Sequence, residues 1–268
     1  MSFKLRTVAE DGGTGVAPGE VWQGETVDRR LALCEPQSIR GVFESLLPRN
    51  GKILEAGCGL GRWVIYLRNK GFDIRGVEIS EAAVRMMRAY DPSLPVETGD
   101  ILRLPYPDAS FAACISLGVI EHFEEGPHPA LQEARRILQP GGLLFVSVPY
   151  ENLTRRIAHH PWRRCRNRRE ARQMRNPRHV FHEYRYSGRD MQRFLAETGF
   201  ETIRTAPDDF TGGMNMGLYA DWPSLQEPGK PWHLNRRGRC LAALLNAVSP
   251  WLACSGILCV GRAGTKYT

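Results

Sequence analysis

Between Glu35 and Leu47 the apolar residues Ile39, Val42, Phe43, Leu46 and Leu47 recur at three- and four-residue spacing, which predicts an amphipathic helix stopped by Pro48 and Gly51. A short apolar run from Lys52 to Ala56 predicts a strand. The glycine-rich turn Gly57 to Gly61 follows, then a stretch with Val64, Ile65 and Leu67 at helical spacing that ends at Gly71. The alternation continues with a strand over 72–80, a helix over 81–90, a short element at 96–100 and a strand over 111–118. A helix over 128–138, the turn Gln139 to Gly142 and a strand reaching Pro149 complete it. Strands alternating with helices of this length predict a parallel sheet covered on both faces. After Pro149 the rhythm breaks; it resumes with a helix over 189–199 and a strand over 200–206, and a last strand is expected at 256–262.

The turn Glu55-Ala-Gly57-Cys-Gly59-Leu-Gly61 sits where the first strand stops and the first helix of the alternation starts. Glycines there let a ligand approach the backbone closely. A dinucleotide fingerprint wants Gly or Ala where this chain has Arg62, so a nicotinamide enzyme is disfavoured. The spacing instead resembles motif I of the class I S-adenosylmethionine-dependent methyltransferases, and the resemblance extends over Lys52 to Tyr150. It implies a Rossmann-like, doubly wound α/β fold with a seven-stranded sheet whose last strand is antiparallel, carrying a helical cap and insertions. It also implies S-adenosyl-L-methionine as cofactor and S-adenosyl-L-homocysteine as product. Glu55, Gly57, Gly59 and Gly61 would face the methionine part. Glu78, about twenty residues beyond the glycines, would take the ribose hydroxyls. Ile79 would lie beside it, Asp100 would accept from the adenine amino group with Ile101 against the ring, and Ser116 and Leu117 would complete the set. Arg62 fits either the carboxylate end of the cofactor or a surface role.

At the end of the fourth strand of the alternation the chain reads Leu117-Gly-Val-Ile-Glu-His122. The Asn/Asp-Pro-Pro-aromatic motif of amide and exocyclic-amine methylases is absent there, and Cys114 has no neighbouring proline as a cytosine-C5 enzyme requires. What remains resembles the small-molecule, glycan and lipid branch of the family. Glu121 and His122 are the candidate catalytic residues, since an imidazole can take a hydroxyl or ammonium proton near neutral pH. The other reading of His122 is a loop residue that positions the cofactor. His182, in the polar and aromatic run 178–186, is a further catalytic candidate. It and His179 lack a third metal ligand, so no metal site is expected.

Length and composition bound the rest. The chain has 268 residues, a net charge of +7 and 42% hydrophobic residues, which excludes collagenous, coiled-coil and disordered classes. The reading is an N-terminal flexible arm and cap over 1–34 and one domain over 35–268, with insertions at 151–188 and 207–255. Residues 151–189 hold twelve arginines and no lysine against three glutamates, a local +9. This is either a solvated face or a site for an anionic acceptor, because guanidinium groups pair bidentately with phosphate and carboxylate. Nucleic acid is the least favoured partner, since only Trp162 and Phe181 interleave with the arginines. Seven cysteines without a CxxC pair and the lack of an apolar leader in the first fifteen residues suggest the cytoplasm. From Cys240 to Val260 there are 21 residues without a charge. Asn246, Ser249 and Pro250 break this run, leaving a membrane span, a peripheral membrane contact through 240–254, or a core helix followed by a strand. A non-catalytic cofactor-binding scaffold with a basic surface for RNA or protein is the alternative from another functional class.

Overall fold

The computed structural model describes residues 2–8, 22, 24–159 and 178–264. Its strands are β1 (Ser2–Val8), β2 (Ile53–Ala56), β3 (Ile74–Glu78), β4 (Val96–Thr98), β5 (Phe111–Leu117), β6 (Leu138–Pro149), β7 (Arg178–Arg185), β8 (Phe200–Asp208) and β9 (Gly256–Ala263). Its helices are α1 (Val27–Leu31), α2 (Arg40–Leu46), α3 (Arg62–Asn69), α4 (Glu81–Tyr90), α5 (His128–Ile137), α6 (Gly188–Glu197), α7 (Met216–Asp221) and α8 (Arg236–Val248).

Seven strands form one sheet in the order β4-β3-β2-β5-β6-β9-β8. The pairs from β4 through β6 are parallel, and β9 runs antiparallel to both of its neighbours, β6 and β8. This is the Rossmann-like arrangement expected from the sequence, with the last strand reversed. The central strands read as continuous apolar runs because both faces are covered. Leu54, Cys114, Leu144 and Val146 face α5 and α6 through Leu131, Ile137, Met191 and Phe194. The alternate positions Ile53, Ala113, Ile115 and Phe145 pack on Phe43 of α2 and on Trp63 and Leu67 of α3. Helix starts are set by local side chains: Ser80 caps α4 by accepting from Ala83 N, and Ser187 and Asp190 form a capping box on α6.

Several boundaries differ from the sequence expectation. The arm contains a strand: β1 pairs antiparallel with β7, from Ser2 opposite Arg185 to Val8 opposite Arg178, in a separate two-stranded sheet. Phe3 and Leu5 alternate with Lys4 and Arg6 as a strand requires, but the partner lies far along the chain and leaves no local signal. The helix expected from Glu35 begins only at Arg40, because residues 34–38 turn to meet β8. There Gln37 Nε2 donates to Asp208 Oδ1 at 2.7 Å and Ser38 Oγ donates to the Pro207 carbonyl at 2.8 Å. β6 takes in the expected turn at 139–142; Leu138 already pairs with Phe111 before the register shifts and resumes at Leu143. β8 runs to Asp208, so the second insertion between strands occupies 209–255. Much of the arginine-rich insertion, residues 160–177, lies outside the described residues.

Pro149, at the carboxyl end of β6, stands opposite Gly256, and Asp208 at the end of β8 stands opposite the same glycine. The insertion 209–255 therefore opens at the sheet edge where β2 to β5 also end. Asp209 fastens it there, its carboxylate accepting from Met216 N at 2.6 Å, Gly217 N at 3.2 Å and Ser255 N at 2.9 Å.

Candidate active site

The glycine turn leaves β2 with φ of +80° at Gly57, +58° at Gly59 and +69° at Gly61, which also caps α3. Gly57 N and Cys58 N both donate to the Val77 carbonyl, at 2.8 and 3.0 Å, so the turn is tied to β3. A Cβ on Gly59 would fall 2.6 Å from the Trp22 indole, and one on Gly57 would fall 2.6 Å from Val119 Cγ2. The turn is thus enclosed by the N-terminal segment on one side and by the loop after β5 on the other. Trp22 was not singled out by sequence reasoning; a lone tryptophan in a polar, glycine-rich arm was the available signal.

Two acids stand at this turn. Glu78 accepts from Gly59 N at 2.8 Å through Oε2 and from Ser80 N at 3.0 Å through Oε1. Each oxygen keeps a second lone pair, so the carboxylate retains capacity for hydroxyl donors. Glu55 is buried beneath the turn and accepts from Val64 N at 3.1 Å. Burial pushes its carboxyl up to about 8, with Arg62 acting in the opposite direction.

The neighbouring strand ends carry the remaining candidates. Asp100 is exposed, and its Oδ1 accepts from Leu102 N at 2.9 Å, which shapes the loop after β4. Ile101 turns into the core, whereas Leu102 and Ile79 are exposed large apolar side chains. The apolar residues available at this edge are therefore Ile79 and Leu102, with Ile101 behind them. Strand alternation sends Ser116 and Leu117 to opposite faces. Ser116, whose Oγ has no hydrogen-bond partner among the described residues, lines a small cavity with Ala56, Ile101 and Ile120, while Leu117 packs on the α2 and α3 side.

On the acceptor side, a 3-10 turn, Ile120–His122, follows β5. Its two polar residues separate: Glu121 is 2% exposed, and His122 is exposed. Glu121 folds back toward Gly118, with Oε1 3.6 Å from where a Gly118 Cβ would lie. Burial pushes its carboxyl up to about 8, and Glu183 adds to the rise. Glu121 Oε2 and the buried Tyr186 hydroxyl have no hydrogen-bond partners among the described residues. Tyr184 Oη donates to the Glu124 carbonyl at 2.8 Å, fastening the end of β7 to the loop beyond the turn. The side chain of His182 lies outside the described residues.

A second buried cluster adjoins this region and was not foreseen. Arg155 Nε donates to Asp221 Oδ2 at 2.5 Å, and its Nη1 donates to the Tyr150 carbonyl at 2.6 Å and the Ser255 carbonyl at 3.1 Å. Arg185 Nη1 lies 3.8 Å from Asp221 Oδ1. The insertion after β6, the end of β7 and α7 are held together by this one carboxylate. No group of three or more His, Cys, Asp or Glu side chains suited to a metal occurs among the described residues.

These residues fit S-adenosylmethionine on the geometry alone. Glu78 offers acceptors for ribose hydroxyls, Ile79 and Leu102 offer apolar surface at adjacent strand ends, and Glu55 offers a buried carboxyl for the cationic methionine end. Residues 54–146 match the family described as "Methyltransferase domain". A Mycolicibacterium smegmatis protein named "Probable S-adenosylmethionine-dependent methyltransferase" is 30% identical over 57% of this chain and 53% of its own length. The chain spans about half the length of such curated relatives. A structure described as a complex between the Haloferax volcanii Trm112 methyltransferase activator and a methyltransferase superposes with a TM-score of 0.61 at 18% identity, covering 90% of this chain and 96% of that one. A geranyl diphosphate methyltransferase in complex with SAM superposes at 0.54 and 14% identity, covering 88% and 84%. Residues 54–146 are thus similar to a methyltransferase domain, and the chain has the Rossmann-like fold of the solved methyltransferase structures it superposes on.

Proposed function

We propose that the protein transfers a methyl group from S-adenosylmethionine to oxygen or nitrogen of a small-molecule, glycan or lipid-linked acceptor, with an anionic group on the acceptor. The observation that carries the proposal is the direct packing of the acceptor-side turn on the cofactor turn. Val119 abuts Gly57, and His122 stands exposed three residues beyond Val119. When bound, the cofactor supplies a methyl carbon activated by the sulfonium. The chain's own work is then to hold the acceptor in line at about 3 Å and keep water out, which by itself accounts for much of the acceleration in such displacements. His122 receives the acceptor's proton at an imidazole nitrogen. Glu121 acts behind it as a buried, largely protonated group beside Tyr186, so it orients the pocket wall rather than accepting that proton. The arginines of 151–189 other than Arg155 and Arg185, which are held at Asp221, supply the preference for a phosphate or carboxylate on the acceptor.

Calorimetric titration with S-adenosylhomocysteine, with NADH as control, tests the cofactor half. Transfer of labelled methyl into phosphorylated glycans and lipids tests the acceptor half. His122→Ala is expected to lower turnover by about a hundredfold or more while leaving the S-adenosylhomocysteine Kd unchanged. A loss of cofactor affinity with turnover retained at saturation would make His122 a positioning residue. Cofactor binding without transfer to any acceptor pool would favour a scaffold.

A further inference from the structure

Helix α8 contradicts the core-helix expectation for this part of the chain. Gly238 is its only buried residue, with Ala242 and Leu245 packed on a small cluster of Leu218, Leu234 and Ala253. Its outward side carries Leu241, Leu244 and Val248, which are 37%, 68% and 78% exposed. Those positions recur at three- and four-residue spacing, so they form one stripe. From Cys240 to Val248 the only polar side chain apart from the thiol is Asn246, while Arg236, Arg237 and Arg239 all sit in the first turn. A helix apolar almost all round is ordinarily buried. Here it lies on the surface.

The surrounding surface repeats the pattern. Among the described residues, six of the nine exposed large apolar side chains are Leu153, Ile157, Met216, Leu241, Leu244 and Val248. Met216 opens α7, in the same insertion. Leu153 and Ile157 belong to the segment tied to the chain just past α8 by Asn152 Nδ2 donating to the Cys254 carbonyl at 2.8 Å. The charge is one-sided as well: no acidic residue follows Glu227, whose carboxylate is already engaged with Lys230 and Arg239. Arg236 and Arg237 are exposed and have no ion-pair partner among the described residues. α8 is about 20 Å long and, among the described residues, no helix is long and apolar enough to cross a membrane.

We propose that α8 docks on the surface of an anionic phospholipid membrane, with Leu241, Leu244 and Val248 entering the acyl boundary and Arg236 and Arg237 on the lipid phosphates. The charge decides between occupants. A second copy packed antiparallel on this face would cover the leucines but leave Arg236 and Arg237 at each end of the contact without an acidic partner from α8, since there is no acidic residue between Glu227 and Thr268. An anionic bilayer answers the apolar stripe and the arginines together. The insertion opens at the same carboxyl edge of the sheet as the glycine turn, so docking brings that edge toward the lipid. The acceptor is therefore drawn from the membrane surface, a conclusion that rests on the methyltransferase reading, whereas docking itself does not.

The test is flotation of the full chain with phosphatidylcholine vesicles, with and without phosphatidylglycerol, at low and high salt. It is accompanied by Leu244→Glu/Val248→Glu and Arg236→Glu/Arg237→Glu variants and by sedimentation velocity without lipid. The wild type is expected to float with phosphatidylglycerol vesicles at low salt and to be retained poorly by phosphatidylcholine alone. Each double variant is expected to lose at least about tenfold in partitioning. S-adenosylhomocysteine affinity, measured separately, is expected to stay unchanged in both variants, which shows that they fold. Absence of wild-type binding to any vesicle, or full binding by the Leu244→Glu/Val248→Glu variant, would overturn the proposal. A wild-type dimer converted to monomer by that variant would overturn it in favour of self-association. Docking without cofactor binding would leave the membrane surface standing and refute only the methyltransferase reading.

Discussion

Replacing Glu121 by glutamine is expected to stabilise the protein, and to do so more strongly as the pH rises. Glu121 is 2% exposed, its Oε2 has no hydrogen-bond partner among the described residues, and burial holds its carboxyl near 8 against an ordinary 4.5. Between those two values the folded protein binds a proton that the unfolded chain has released. Stability therefore falls as pH increases across that window. Each pKa unit is worth about 1.4 kcal/mol, so the gap corresponds to at most about 5 kcal/mol by pH 8. Glutamine matches the shape of the neutral acid and has nothing to titrate. The stability difference between Glu121→Gln and wild type should then grow by about 4 kcal/mol from about pH 5 to about pH 8. Glu55 rises in the same way but is present in both proteins and cancels in the difference. Urea unfolding at three or four pH values across the window measures it. A difference that stays flat with pH, or a variant less stable than wild type near pH 8, would refute the reading of Glu121 as a buried neutral acid.

Other perturbations address separate parts of the site. Gly59→Val should abolish S-adenosylhomocysteine binding, because the new side chain would enter the Trp22 indole from a backbone at φ +58°; calorimetry with retained affinity would contradict this. Asp100→Ala should weaken the same Kd by about 1 to 3 kcal/mol, the cost of stranding a hydrogen-bonded group, and an unchanged Kd would remove the adenine role. Asp221→Ala should cost about 3 to 5 kcal/mol in unfolding free energy by leaving Arg155 buried without its carboxylate, whereas loss of a surface pair would cost under about 1.

What the sequence determined by itself is the part written in local pattern. The apolar runs of β2, β5 and β6, the helical periodicity between them and the ExGxGxG turn suffice for the parallel sheet, because both-face burial and a tight glycine turn leave marks within a few residues of each other. Glu55, Glu78 and Asp100 could be named as candidates for the same reason, each being the acid at or just beyond a strand end. Tertiary structure decided everything that depends on a distant partner. β1 needs β7 to be a strand, and the closeness of the Trp22 indole to Gly59 exists only in the folded chain. Glu121 and His122 are adjacent in sequence, yet one faces buried tyrosine and the other solvent, a division set by the packing of the β7 end on the turn after β5. Asp221 gains its role from arginines on two other segments. The apolar stretch after Cys240 reads alike as core, span or surface helix, and only the folded chain shows Leu245 packed inward while Leu241, Leu244 and Val248 face outward. Periodicity records that a residue has an inside and an outside; which neighbour fills the inside is a property of the assembled chain.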